Sequence, residues 1–233
     1  MTASQYPDRF HGRRRGRSLT AEQKKLLQEL LPRILLTSQE ESIDLKNIFR
    51  TKDNHPFKNY ALEIGFGSGE HLAEQASLNL DVGFLGVEVF VNGVASFLQK
   101  VEEKGLHNVR VYSDDVRKIL KSFKPQTFEK IFILFPDPWP KARHHKRRLI
   151  SSSFVDSIEK ILTSQGILKF ASDDENYVKE VLHIFSLQSS FEPSFKTLDE
   201  CIQRPPSWSL TRYEQKALQK GKTCYYLSYR KKN

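Results

Sequence analysis

From residue 60 onward, short apolar, β-prone runs alternate with stretches of helical period, and no other feature of the chain narrows its possible folds as much. Strands are predicted at 60–64, 83–89, 109–112, 130–134 and 166–171. Between them the spacing predicts a helix from about residue 69, one over 92–104 stopped by Gly105, a short one ending at 123, and one through Phe154, Ile158 and Ile161. Each return to a parallel neighbour needs a right-handed crossover, so repeated βα units imply an α/β fold with a parallel sheet covered by helices on both faces. The tail departs from this rhythm. A helix to about residue 187 is followed by two strand-like runs, 194–197 and 223–229, which bracket a polar insertion from 198 to 222. Upstream, Thr20 and Gln23 have the spacing of a capping box, and Leu26, Leu27, Leu30 and Leu31 form an apolar stripe interrupted by Pro32. Residues 37–57 are polar and weakly patterned. A chain of 233 residues without internal repeats is long enough for one well-buried core and predicts one domain.

Charge is distributed unevenly. The chain has 37 Lys and Arg against 28 Asp and Glu. Arg9, Arg13, Arg14, Arg15 and Arg17 stand against Asp8 in the first 17 residues, and Lys141, Arg143, Lys146, Arg147 and Arg148 stand against no acid, so these two segments hold the whole +9 excess. An ordinary balanced body with two basic attachments is the pattern of a polyanion binder. The first attachment, to about residue 18, has no hydrophobic period and is expected to be disordered or to order only on binding. A membrane partner is not expected: no stretch approaches the roughly 18 apolar residues of a spanning helix, and no aromatic face opposes the arginines. No apolar region follows the arginines as in a secretory signal, and Asp8 with the structured segment beyond it argues against a transit peptide. Cys201 and Cys224 form no CxxC and no histidine cluster stands near them, which points to a reducing cytoplasm and no structural metal.

The first βα turn places Gly65, Gly67 and Gly69 on alternate positions after a strand, where the backbone can turn tightly and approach a ligand closely. A dinucleotide loop would want glycine at position 70, beside a pyrophosphate, but that residue is Glu70. Glu63, two residues before the first glycine, suits a cationic or amine-bearing ligand instead. Glu88, about 20 residues further on at the end of the second strand, is placed to accept ribose hydroxyls. Asp114 closes the third strand, with Asp115 beside it as an alternative helix cap, and Asp173 follows the fifth as ligand or cap.

The run from Phe135 to Arg148 joins a chemical site to a cationic surface. Asp137 lies between Pro136 and Pro138 at the end of the apolar strand 130–134, so the prolines restrict it to an extended geometry where open α/β sheets bind ligands. The cations that follow suit a phosphate backbone, with Arg143, Arg147 and Arg148 of this run and Arg13, Arg14 and Arg15 of the arm as the candidate contacts.

These segments, Glu63 to Gly69, Gly86 to Val89, Phe135 to Arg148, and Thr211-Arg212-Tyr213-Glu214, together resemble the bacterial tRNA guanine-N7 methyltransferases, over nearly the whole chain from Gly12 onward. The resemblance implies a Rossmann-like class I methyltransferase: a largely parallel seven-stranded sheet with helices on both faces and an antiparallel C-terminal strand. It implies a basic arm over 1–18 and a methyltransferase domain over 19–233 whose insertion near 198–222 contacts tRNA. The cofactor implied is S-adenosyl-L-methionine, which carries an ammonium and a sulfonium, held by Glu63, Glu88, Asp114 and Asp137 around the glycines. Lys141, Asp173, Thr211, Arg212, Tyr213 and Glu214 would contact tRNA, and the target would be a guanine of its variable loop. Asp137 would be catalytic, either as a charge beside the ring that becomes cationic or as an orienter of the base. Ser172 stands where similar proteins often have threonine. Monomers and dimers both occur among such proteins.

Overall fold

The computed structural model describes residues 12–37, 42–50, 55–206 and 208–233. In chain order the elements are α1 (Ala21–Glu29), α2 (Leu31–Ile34), α3 (Leu45–Ile48), β1 (Asn59–Ile64), α4 (Glu70–Leu78), β2 (Val82–Val87), α5 (Val91–Lys104), β3 (Val109–Tyr112), β4 (Phe128–Leu134), α6 (Ser152–Ile161), β5 (Leu162–Ser172), α7 (Glu175–Ser186), β6 (Phe191–Pro193), α8 (Arg212–Gln219) and β7 (Tyr225–Lys231). The strands form one sheet in the order β3-β2-β1-β4-β5-β7-β6. The first five are parallel; β7 runs antiparallel to both β5 and β6. The chain winds outward from β1 through β2 to β3, then crosses to β4 on the other side of β1. The strand order therefore reverses between β1 and β4, and the crevice beyond their carboxyl ends is the natural ligand position.

Strand alternation divides the core between the two faces. Leu62, Ile64, Ile131, Ile133, Leu168 and Phe170 pack with Phe154, Ile158 and Ile161 of α6 and Tyr177, Val178 and Val181 of α7. Ala61, Phe132, Leu134 and Ala171 pack with Leu72, Ala73 and Ala76 of α4 and Val94, Phe97, Leu98 and Val101 of α5. Thr20 and Gln23 make both bonds of the capping box that starts α1. Gly105 ends α5 in the left-handed region, at φ +60°.

Several expectations need correction. Ile43, Leu45, Phe49 and Phe57 are buried, so the weakly patterned segment 37–57 feeds the core one residue at a time and has no amphipathic period to display; residues 38–41 and 51–54 of it lie outside the described residues. The helix expected up to 123 is two 3-10 turns, Val116–Lys118 and Leu120–Ser122. The run 194–197 is not a strand: β6 comes earlier, anchored by Phe191 against Phe185 at 5.3 Å, ends at Pro193, and is followed by a single further bond from the Ser194 N–H to the Ser228 carbonyl. The insertion is not merely polar loop, for it contains a 3-10 turn, Leu198–Ile202, and α8.

The arm is attached to the body over its described part. The N-cap of α5, Phe90, offers no side-chain bond, and the arm supplies partners there: Val91 donates its N–H to the Arg14 carbonyl at 3.0 Å. Asn92 accepts from the Gly16 N–H and donates to the Arg17 carbonyl, each at 2.7 Å. Residues 1–11, including Asp8 and Arg9, lie outside the described residues. Further on, Leu35 bridges Val111 in parallel, and the Leu36 N–H reaches the Val111 carbonyl at 2.7 Å along the outer side of β3. Among the described residues no helix is long and apolar enough to cross a membrane, and no group of three or more His, Cys, Asp or Glu is placed to hold a metal ion.

Candidate active site

A cavity of about 330 Å³ opens beyond the carboxyl ends of β1, β2, β3 and β4, at the reversal of strand order, and its size falls in the usual range for a small-molecule site. Its floor is the first βα turn. Gly65 and Gly67 adopt φ +75° and +58°, a region that L side chains rarely enter. A Cβ on Gly65 would meet nothing within 4 Å, so backbone faces open cavity there, whereas one on Gly67 would stand 3.3 Å from the ring of Tyr213. Gly69 is the N-cap of α4.

Three carboxylates reach this cavity from three successive turns. Glu88 directly follows β2 and is nearly buried; it accepts the N–H groups of Gly67 at 2.7 Å, Val89 at 2.8 Å and Phe90 at 2.9 Å. Burial pushes its pKa above the ordinary carboxylate range, the three N–H groups oppose that push, and the charge of Asp137 adds to it. Asp114 follows β3, with Lys118 at 2.6 Å, Arg14 at 3.1 Å and the Asp115 N–H at 2.8 Å. Burial alone would raise its pKa, but the bonds from Lys118, Asp115 and Arg14 outweigh it and hold the carboxyl below its ordinary value. Asp115 takes the capping role, accepting the Arg117 N–H at 3.0 Å and pairing with the Arg117 side chain.

Asp137 is held differently. Phe135 and Trp139, on either side of the Pro-Asp-Pro unit, have φ of +52° and +46°, strained values for large side chains. The Phe135 N–H is fixed to the Ala171 carbonyl at 2.8 Å, and the Pro138 carbonyl accepts Arg148 Nε at 2.7 Å. Between these anchors Asp137 lines the cavity, exposed at its mouth, with no hydrogen-bond partner among the described residues, and desolvation by the surrounding loop raises its pKa. The loop therefore stores strain around a carboxylate that nothing in the described chain neutralises.

Other predicted residues separate into those that face outward and those that do not. Lys141, Arg143, Arg15 and Arg212 are exposed. Gly12 and Arg13 line the cavity, so the arm forms part of its wall. Arg147 lies over the Trp139 ring at 5.0 Å, and both line the cavity. Asp173 is paired with Lys222 at 2.5 Å, and its neighbour Asp174 caps α7. Tyr213 is exposed overall but lines the cavity; desolvation on that side, then the charges of Glu88 and Asp137, raise its pKa.

Four predicted residues are engaged within the protein itself. Arg148 is buried, bonded to the Pro138 carbonyl and Glu180 and lying 4.7 Å over the Tyr177 ring, so it is no phosphate contact. Glu214 is buried and accepts the Tyr226 hydroxyl at 2.6 Å, and Thr211 caps α8 through the Glu214 N–H at 3.2 Å; these two hold the insertion together. Glu63 is 3% exposed, does not line the cavity, and bonds His71 Nδ1 at 2.7 Å. Its polar partner lies on α4, away from the open space. Trp139 lines the cavity, while Trp208 packs in the core against His71, Phe132 and Tyr226. The cavity positions of Gly12 and Arg147 carried no signal in the sequence beyond membership of the two basic segments, and that of Trp139 none beyond its place next to Pro138.

The assembled set, acids at the ends of adjacent strands over an open glycine backbone, fits a cationic ligand bearing several hydrogen-bond donors, and an unneutralised carboxylate beside it fits a second, neutral reactant. A family model described as "Putative methyltransferase" matches residues 58–227. A curated tRNA (guanine-N(7)-)-methyltransferase of Rhodospirillum rubrum is 38% identical over 228 residues, covering 96% of this chain and 88% of its own. Another, of Paramagnetospirillum magneticum, is 39% identical over 227 residues, covering 96% and 93%. Among solved structures, a SAM dependent methyltransferase from Aquifex aeolicus superposes with a TM-score of 0.51 at 15% identity, covering 91% of this chain and 99% of that one, a likeness of fold.

Proposed function

The chain belongs to the tRNA (guanine-N(7)-)-methyltransferase family, and from this we propose that Glu88, Asp114 and the glycine backbone hold its cofactor while Asp137 receives a guanine of the tRNA variable loop. The reaction is transfer of a methyl group from S-adenosyl-L-methionine to N7 of a guanine in tRNA. When bound, the cofactor supplies an electrophilic methyl group on a sulfonium. Guanine N7 carries a free lone pair on the major-groove edge, so no residue has to remove a proton before attack. What the chain must supply is position. Glu88, its charge already ordered by three N–H groups, retains one lone pair, on Oε2, for a ribose hydroxyl. Asp137 acts on the base as an orienter, accepting from its N1–H and amino group so that N7 faces the methyl group.

The observation that carries this reading is the unpartnered Asp137 carboxylate between two strained residues at the reversal of strand order. The exposed cations Arg15, Lys141, Arg143 and Arg212 are assigned to contacts with the tRNA, and residues 19–233 to one domain with 198–222 as its tRNA-facing insertion. Two buried free cysteines suit a cytoplasmic protein. Incubation with methyl-labelled cofactor and bulk tRNA, followed by nucleoside analysis, tests the reading. Label in 7-methylguanosine is expected; label in another nucleoside, or none, would overturn it.

A further inference from the structure

The mechanism leaves one buried polar group without a task. Glu63 and His71 form a pair whose side chains are 4% and 0% exposed, at 2.7 Å, on the sheet face opposite α6 and α7. A carboxylate removed from water requires a donor, and His71 Nδ1 provides it. On the far side of the same imidazole, Nε2 is buried with no hydrogen-bond partner, and the indole Nε1 of Trp208 is buried in the same condition. The two rings meet edge to face with centroids 5.9 Å apart. Their chemistry is complementary: an indole N–H only donates, and an imidazole that gives its Nδ1–H to a carboxylate keeps a lone pair at Nε2.

These residues belong to three different parts of the fold. Glu63 lies two residues before the first glycine of the cavity floor, His71 is the second residue of the helix that leaves that floor, and Trp208 belongs to the insertion. The insertion touches the floor at a second point, where the Tyr213 ring lies over Gly67. Both contacts are carried by one unit, since Tyr226 and Glu214 tie α8 to β7 and Trp208 packs on Tyr226 at 5.5 Å. A shift of the insertion therefore reaches the glycine turn from above, through Tyr213, and from below, through His71.

We propose that Glu63, His71 and Trp208 form a buried positioning chain, with the Trp208 N–H given to His71 Nε2 directly or through one water, that locks the cofactor turn to the insertion. Glu63 acts through His71 and does not touch the cofactor. The consequence, which rests on the function proposed above, is that occupancy of the cofactor cavity and contact of the insertion with RNA are thermodynamically coupled, and the coupling is reciprocal.

The test is calorimetric titration of the full chain with S-adenosylhomocysteine, alone and with saturating tRNA, for the wild type and for Glu63→Gln, His71→Asn and Trp208→Phe. Glutamine keeps an acceptor for Nδ1–H, asparagine keeps the donor to Glu63 but nothing at Nε2, and phenylalanine keeps a ring without the N–H. In the wild type, tRNA should change the dissociation constant by about fivefold or more. Trp208→Phe and His71→Asn should reduce that change to within about twofold, with the tRNA-free constant within about threefold of wild type. A purely packing role would lower Tm and leave the coupling intact, which overturns the proposal. So would a wild type without coupling, or a tenfold weakening in Glu63→Gln that His71→Asn does not share, since Glu63 would then act on the cofactor itself. If the wild type bound no S-adenosylhomocysteine, the functional reading would fail, and the chain would be judged on thermal unfolding. Non-additive Tm shifts in the Glu63→Gln, Trp208→Phe double variant support it, and additive shifts overturn it.

Discussion

Replacing Arg148 by methionine should cost folding stability and leave RNA affinity nearly unchanged, although Arg148 ends the most basic run in the chain. Its side chain is 1% exposed and makes bonds to the Pro138 carbonyl and to Glu180, with Asp174 at 3.9 Å and the Tyr177 ring beneath it. Removing one partner of a buried ion pair typically costs about 3–5 kcal/mol, because the other charge is left without compensation. Here Glu180 is 32% exposed and can be hydrated, and methionine fills much of the volume of the arginine stem, so the loss should be about 2–3 kcal/mol. For a chain of this size that corresponds to a fall in Tm of roughly 4–12 °C. The Pro138 carbonyl also loses its donor, so methyl transfer at saturating substrates should slow as the turn around Asp137 loosens. Arg143→Met is the control: an exposed cation, it should hold Tm within about 2 °C while reducing the salt slope of tRNA binding by about one. Thermal denaturation followed by circular dichroism and tRNA binding at several salt concentrations give both readouts. If Arg148→Met keeps its Tm and loses as much tRNA affinity as Arg143→Met, the assignment of Arg148 to the interior is wrong.

Asp137→Asn should retain cofactor and tRNA binding yet slow single-turnover transfer by about 100-fold, near 2.7 kcal/mol of barrier; a rate within threefold of wild type would make Asp137 a turn former only. Because burial raises the Asp137 pKa, the acid limb of the rate profile should lie above the usual aspartate value of about 3.9 and vanish in Asp137→Asn. The same shift favours folding while the group is protonated, below its unfolded pKa, and that contribution disappears as pH rises through the raised folded value, which acid titration of stability in wild type and Asp137→Asn would show. Glu88→Ala should weaken S-adenosylhomocysteine by about 1–3 kcal/mol in calorimetry, since three N–H groups and the ligand lose one acceptor together; unchanged affinity would place the ligand elsewhere. Deleting residues 1–17 should flatten the salt dependence of tRNA binding and also weaken the cofactor, because Gly12 and Arg13 line the cavity and Arg14 pairs with Asp114; Arg14→Ala should reproduce the second effect alone, and cofactor affinity equal to wild type in both would refute the link.

The parts of the fold that announced themselves in the sequence were those with a local physical cause. The capping box of α1, the glycine stop of α5 and the apolar strands all act within a few residues, and β3 falls on the predicted positions. The cavity residues Glu88, Asp114 and Asp137 were legible because strand ends in a parallel sheet converge on one side. Facing direction within an irregular segment was not. The run Ala142–Arg147 is a 3-10 turn that folds partly inward, and His145, Arg147 and Arg148 all have buried nitrogens. A charge count treats the whole run as surface. Glu63 shows the opposite failure: strand alternation already grouped it with Ala61, on the face covered by α4, but its partner His71 could be found only once the helix was placed. The arm looked unstructured because its contacts are backbone bonds to the start of α5, which leave no hydrophobic pattern.

The treatment of the two outer strands bears on how this molecule avoids its own kind. An open sheet ends in rows of unpaired backbone groups that can template another strand. At one border, Leu35 and Leu36 run beside β3 and occupy Val111, so the segment after α2 serves as a selvage; at the other, β6 is only three residues long and ends in proline. Shortening the chain to residue 18 would leave that selvage in place, but shortening it past residue 36 would strip it and expose β3 as a nucleus for strand-to-strand aggregation. The leading segment thus has two separable duties along its length, cavity wall first and border guard second.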